Sequence, residues 1–142
     1  MSKIIVKATS HVSEKDLADA RLGTRFARLD LASRLALFAV ESLEVDFTKW
    51  APERVAICLA ASTGSLTTDV DYWSGRDPEV GPSPTLFAYT LPSAAVGEIA
   101  IRHKLTGSNL CFVGDENCAL AESRDLLERG EADACICLYA QV

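Results

Sequence analysis

Gly107-Ser-Asn-Leu-Cys-Phe-Val-Gly-Asp-Glu-Asn-Cys-Ala-Leu-Ala-Glu-Ser-Arg-Asp-Leu-Leu-Glu-Arg-Gly-Glu-Ala-Asp-Ala-Cys-Ile-Cys-Leu-Tyr139 reads as strand, tight bend, helix, turn and strand. Leu110 to Val113 is a short apolar run closed by Gly114, the pattern of a buried strand. Asp115 offers an N-cap carboxylate, and Glu116 adds negative charge at the positive end of the helix dipole. Arg129 in the last turn with Gly130 just past it makes a favoured helix stop, and Ala134 to Leu138 is again apolar and short. Two short strands joined through one helix predict a parallel crossover unit.

The flanking sequence fits the same layering. Val55-Ala56-Ile57-Cys58-Leu59-Ala60, entered from Arg54, is apolar throughout, as an interior parallel strand covered on both faces would be. Thr24 to Val45 predicts one long helix capped by Thr24. Its apolar face carries Phe26, Leu29, Leu35 and Phe38, and Arg25, Arg28, Arg34 and Glu41 lie opposite. Lys3 to Ala8 predicts a further strand, followed by a polar linker from Ser13 to Gly23. Leu66 to Trp73 reads as a short helix. The glycines and prolines between Ser74 and Pro84 mark a surface loop, and Thr85 to Pro92 is apolar and irregular. Ser93 opens a helix reaching Lys104. The expectation is one α/β domain over residues 1–142, a layered mixed sheet of about four or five strands with helices on both faces.

Composition narrows the function classes. Net charge is −6, and Lys and Arg form no stripe, which argues against nucleic acid or anionic lipid as a partner. Mean hydropathy is +0.13, rich for a water-soluble domain, and points to apolar surface that meets a partner. No apolar run reaches the roughly 18–20 residues of a membrane span. The start Met-Ser-Lys-Ile-Ile-Val-Lys has no long apolar region of the signal-peptide kind, so the cytoplasm is the expected location.

The chemistry concentrates at the Val113–Cys118 bend. A strand ends and a helix begins there, with a thiol in the first turn, where exposed amides favour developing negative charge. Cys118 is therefore the candidate nucleophile. Asp115 and Glu116 oppose it, because two carboxylates at that helix start repel a thiolate. The other cysteines, Cys58, Cys111, Cys135 and Cys137, fall in predicted strands and read as small apolar residues. Cys135-Ile136-Cys137 has no second ligand pair at metal spacing, so no metal is expected, and no motif calls for a cofactor. His11 reads as a loop histidine and His103 as a residue of a helix C-terminus. Ala61-Ser-Thr-Gly-Ser65 is a strand-to-helix turn that either serves structure alone or holds a small anionic ligand.

Ser83-Pro84-Thr85-Leu86-Phe87-Ala88-Tyr89-Thr90-Leu91-Pro92-Ser93 through Ile99-Ala100-Ile101 to Leu105-Thr106-Gly107-Ser108-Asn109 resembles a segment of the β-ketoacyl synthases. In that family the segment runs S-P-x-x-x-x-x-x-L-P-N, then I-(A/S)-I, then L-x-G-P-N. Leu126-Leu127-Glu128-Arg129-Gly130-Glu131-Ala132-Asp133 is similar to the family's helix end, and Arg28-Leu29-Asp30 and Val55 to Gly64 fall in the family's order. The resemblance covers almost the whole chain and implies the N-terminal half of a thiolase-like fold. The family carries its cysteine nucleophile in a T-A-C-(A/S)-S motif between the G-P-N strand and the next helix. Here that interval is shorter. Counting from its two ends puts the nucleophile position at Val113 or near Asp115, around Gly114, and neither count meets a cysteine. The two histidines of the family's site belong to the C-terminal half.

The resemblance implies a non-catalytic ketosynthase-like half-domain that acts by association in a fatty-acid or polyketide-type pathway. A lone half leaves a core-like face to cover. The expected partners are a second copy or a full-length ketosynthase, with acyl carrier protein a further possible partner. In the family the strand before the nucleophile pairs across a dimer, so Leu110, Cys111, Phe112 and Val113 are the implied interface. The rival expectation is an acyl-transfer or condensing enzyme that uses Cys118 with histidines from a partner chain.

Overall fold

The computed structural model describes residues 3–142. In chain order the regular elements are α1 (Thr24–Ala27), α2 (Leu31–Glu41), β1 (Val55–Ala61), α3 (Leu66–Ser74), α4 (Pro84–Phe87), α5 (Ser93–His103), β2 (Asn109–Val113), α6 (Glu116–Glu128) and β3 (Ala134–Ala140). Short 3-10 turns lie at Glu14–Asp19, Phe47–Lys49 and Pro52–Arg54. The strands form one parallel sheet in the order β2-β1-β3.

β1 is buried along its whole length, as its unbroken apolar sequence predicts. Alternation divides it between two layers. Val55, Ile57 and Leu59 enter the larger core with Leu37 and Val40 of α2 and Val96 and Ile99 of α5. Ala56, Cys58 and Ala60 face α6, where they meet Ala119 and Leu126. Small side chains on both sides of that second contact let α6 lie close to the sheet. The first contact carries most of the apolar burial, at about 1.5–3 kcal/mol for each large side chain such as Ile57 or Ile99. The α/β class with helices on both faces thus stands.

Several local expectations are corrected. Lys3–Ala8 forms no regular element and belongs to no ladder, so the described sheet has three parallel strands and no mixed pairing. The single helix from Thr24 to Val45 is broken at Arg28–Asp30. Asp30 adopts an extended conformation (φ −67°, ψ 169°) and accepts the Ser33 N–H at 3.0 Å, so it starts a new helix. Thr24 is the first residue of α1 and does not cap it. Ser93 likewise lies inside α5, behind Pro92, and the irregular stretch after Ser83 contains α4. Cys137 is exposed and not buried.

Because the strands are parallel, their C-terminal ends share one edge. Ser62 N–H donates to Ala140 O (3.0 Å) and Gly114 N–H to Ala61 O (3.1 Å), which binds the three exits together. The opposite edge is tied by Thr106 N–H to Pro52 O (3.0 Å) and Asp133 N–H to Arg54 O (2.8 Å).

Candidate functional site: the exit of β2

The bend after β2 sits on the C-terminal edge beside the end of β1. Asp115 caps α6 from an extended conformation (φ −81°, ψ 173°), and its Oδ1 accepts the Asn117 N–H at 2.9 Å. Cys118 N–H turns back onto Asp115 O at 3.2 Å. Two of the amides that a helix start leaves free for an anion are therefore engaged by Asp115 itself. Glu116 adds a second carboxylate in the same turn.

Val113, Gly114, Asp115 and Cys118 share this bend, from the end of β2 to the first turn of α6. Cys118 is exposed, and its Sγ lies against Gly114, 3.0 Å from where a Cβ on that glycine would stand. The sulphur fills the space that the missing side chain leaves.

Neither histidine reaches this edge. α5 leads into β2 through Leu105 and Thr106, and Thr106 bonds to Pro52 at the entry to β1, so His103 stands at the opposite edge. The intervening strand is five residues long, about 16 Å at ~3.3 Å per residue. His103 Nε2 lies 2.7 Å from Glu41 Oε1, off the line of a good hydrogen bond, and the ring packs edge-on against Phe47 at 4.9 Å. His11 is an exposed residue near Asp16.

The Ala61–Ser65 turn is occupied by its own bonds. Gly64 N–H donates to Ala61 O, and the Ser65 hydroxyl lies 2.8 Å from Thr90 O and 3.1 Å from the Asp69 carboxylate. The adjoining cavity, lined by Asp30, Ser33, Ser65 and Tyr89, has a volume of about 20 Å³. That holds a water and not an acyl or pantetheine chain.

The implied interface residues lie on an open sheet edge. Leu110, Cys111 and Phe112 are half-buried and Val113 is 68% exposed. Ser108 O and Gly114 N–H both point to β1, so by the two-residue alternation of a ladder Leu110 and Phe112 point there too. Asn109, Cys111 and Val113 then turn their N–H and C=O groups away from the sheet. More apolar surface lies along α3, which leaves the end of β1. Leu66, Val70 and Trp73 are exposed at i, i+4 and i+7, a stripe legible in the sequence but unremarked there.

On the α6 face, Cys135 Sγ lies 3.8 Å from Cys58 Sγ and 3.2 Å from Ser123 Oγ, and Cys137 is the register partner of Cys58. Donation from Cys135 favours the Cys58 thiolate, and the same contact together with burial pushes the Cys135 thiol up. Burial also raises the Cys111 thiol on β2. Among the described residues no group of three or more His, Cys, Asp or Glu side chains is placed to hold a metal ion. Among the described residues no helix is long and apolar enough to cross a membrane.

No protein-family model matches the sequence, and no curated protein is significantly similar to it. Among solved structures, the ishigamide ketosynthase/chain length factor is similar to this chain with a TM-score of 0.65 and 28% sequence identity. The match covers 78% of this chain and 34% of that one, so the chain corresponds to about a third of the length of that structure. The likeness supports a relation to the ketosynthases, and the architecture is that of a thiolase-like half-domain.

Proposed function

We propose that this chain is a non-catalytic ketosynthase-like half-domain that works by association in a polyketide or fatty-acid type pathway. One observation carries the reading. Where a synthase needs a nucleophile ringed by amide donors, Asp115 lays its own carboxylate on the helix start, and no histidine stands on that edge. Nucleophile, base and oxyanion donors act as a unit, so a thiol without the other two keeps little of the acceleration. The open β2 edge with exposed Val113, and the exposed apolar stripe of α3, support association, with a second copy or a full-length ketosynthase as partner.

The rival reading has one feature in its favour: Cys118 is an exposed thiol in the first turn of a helix. It would then accept an acyl group from a carrier protein or coenzyme A, with histidine supplied by a partner. Intact-mass analysis after incubation with an acyl-coenzyme A, with and without a full-length ketosynthase, separates the two. The association reading expects no acyl adduct in either case. An adduct that disappears in Cys118→Ala would establish the enzyme reading instead.

A further inference from the structure

A cavity of about 260 Å³ lies between α1, α2 and α5, on the side of the sheet away from α6. Its floor is apolar and buried, made by Phe26 of α1, Leu29 just after it and Leu37 of α2. Leu22 and Ile101 complete the apolar lining, and Ile101 is 61% exposed at the mouth. The remaining lining residues are Arg25, Glu98 and Arg102. Neither the β2 exit nor the α3 stripe contributes to it.

Both guanidiniums are clamped in place. Arg25 donates through Nε and Nη2 to the two carboxylate oxygens of Glu98, each at 2.9 Å. Arg102 donates through Nε to Glu41 Oε1 (2.9 Å) and through Nη1 to Leu22 O (3.1 Å). Glu98 is buried, and a buried ion pair adds little to stability once desolvation is counted. What the two pairs do is fix planar donor groups beside an apolar cavity. Arg25 Nη1 and Arg102 Nη2 have no hydrogen-bond partner among the described residues, so each fork keeps a spare donor. Between Asp19 and Asp30 the only charged residues are Arg21, Arg25 and Arg28, and Lys104 follows α5. Glu98 and Glu41 are already neutralised by the arginines they hold. The segments that wall the cavity are thus basic, in a chain whose net charge is −6.

We propose that this cavity binds a small apolar carboxylate, its tail on Phe26, Leu29 and Leu37 and its head beside the spare donors of Arg25 and Arg102. At the ~30 Å³ that one water takes in the liquid, the volume admits about eight or nine non-hydrogen atoms, the size of hexanoate or benzoate. An ammonium would be repelled by the two guanidiniums, and a neutral alcohol would forgo the charge-assisted bonds. Donors fixed in advance lose little freedom on binding, so even so small a ligand reaches a dissociation constant of about 1 mM or below. The site does not rest on the β2 edge, and its failure would leave the association reading where it stands.

An NMR titration of the full chain with hexanoate tests it. The expected result is saturable shifts of the Leu22, Phe26 and Ile101 amides, with a dissociation constant of about 1 mM or below that rises with added salt. Hexan-1-ol, equal in length and uncharged, binds at least about tenfold more weakly. Benzoate in parallel shows whether the cavity prefers a flat tail, and saturation by either acid upholds the site. Ile101→Glu sets a carboxylate at the mouth from an exposed position and weakens hexanoate at least about tenfold. Ile101→Gln, of the same shape without the charge, weakens it less than about threefold. The unliganded spectra check that both variants keep the fold. The proposal is overturned if neither acid saturates by about 20 mM, if hexan-1-ol binds as tightly as hexanoate, or if folded Ile101→Glu binds hexanoate like the parent.

Discussion

Replacing Gly107 by alanine tests how β2 is fastened to β1. A Cβ on Gly107 would lie 2.2 Å from the Val55 carbonyl oxygen, 2.8 Å from its carbon and 3.1 Å from Glu53 O. Carbon–oxygen contacts settle at about 3.3 Å or more, so the two backbones must part by about 1 Å. No flexible side chain can yield, because every atom in the way is main chain. The displaced stretch carries Thr106 N–H to Pro52 O (3.0 Å) and Ser108 O, which accepts the Ile57 N–H at 2.8 Å. Spoiling both bonds costs ~0.5–1.5 kcal/mol each and forced overpacking a further ~1–3, or about 2–6 kcal/mol in total. The φ of Gly107 is not in the left-handed region, so close approach alone sets this cost. Gly97 provides the contrast: it lies inside α5, and a Cβ there meets nothing within 4 Å. Gly97→Ala therefore stabilises by about 0.5–1 kcal/mol through helix propensity. Urea unfolding followed by circular dichroism reads both. With a slope of about 2 kcal/mol per molar, a loss near 3 kcal/mol lowers the midpoint by about 1.5 M, and Gly97→Ala raises it by about 0.3–0.5 M. A Gly107→Ala protein within about 0.5 kcal/mol of the parent would refute the reasoning.

Asp30→Ala costs about 2–4 kcal/mol, because the carboxylate caps α2 through Ser33 and also accepts the buried Thr68 hydroxyl at 2.7 Å. Asp115→Ala, which loses only an exposed cap, costs about 0.5–1 kcal/mol, and equal losses in the two denaturation curves would contradict the assignment. Iodoacetamide modifies exposed Cys118 and Cys137 first and fully buried Cys58 only on global unfolding; peptide mapping that finds Cys58 among the early sites would mean that α6 opens locally. The Arg54 guanidinium beside Asp133 holds that carboxyl below its ordinary 3.8. The folded-state value is depressed, so the clasp's contribution is present above about pH 3.8 and is lost as pH falls through the lower folded value. A carboxyl-carbon NMR titration of Asp133 with its midpoint at or above 3.8 would count against it.

Periodicity made the inner architecture legible. The unbroken apolar run at Val55–Ala60 gave a central strand, the crossover from Leu110 to Leu138 gave two parallel neighbours, and Asp115 and Gly130 marked the ends of α6 where the backbone turns. Boundaries failed where one polar side chain outweighed a continuous pattern. From Thr24 to Val45 the apolar spacing persists, but Asp30 binds both the Ser33 amide and the Thr68 hydroxyl, 38 residues away. The second bond is tertiary and leaves no mark on local sequence. The Lys3–Ala8 strand failed for the opposite reason. Its local propensity is as high as that of β1, but propensity does not say whether a segment reaches one of the sheet's open edges, and here it pairs with neither.

The candidate site was legible to the same depth. Cap chemistry at Asp115 and the thiol at Cys118 follow from residue type and position, and the structure brings both to one bend with Val113 and Gly114. What sequence withholds is direction. The outward aim of Asn109, Cys111 and Val113 depends on which carbonyl of the preceding loop first reaches β1, and Ser108 settles it through a single bond to Ile57. A register one residue away would turn Leu110 and Phe112 outward and present a different edge. Gly107 is what permits that bond, because only a residue without a Cβ lets the loop pass over Val55 closely enough for Ser108 to be the first contact. The glycine ahead of the strand therefore sets which backbone groups the edge offers to a partner, although it lies in neither the bend nor the edge.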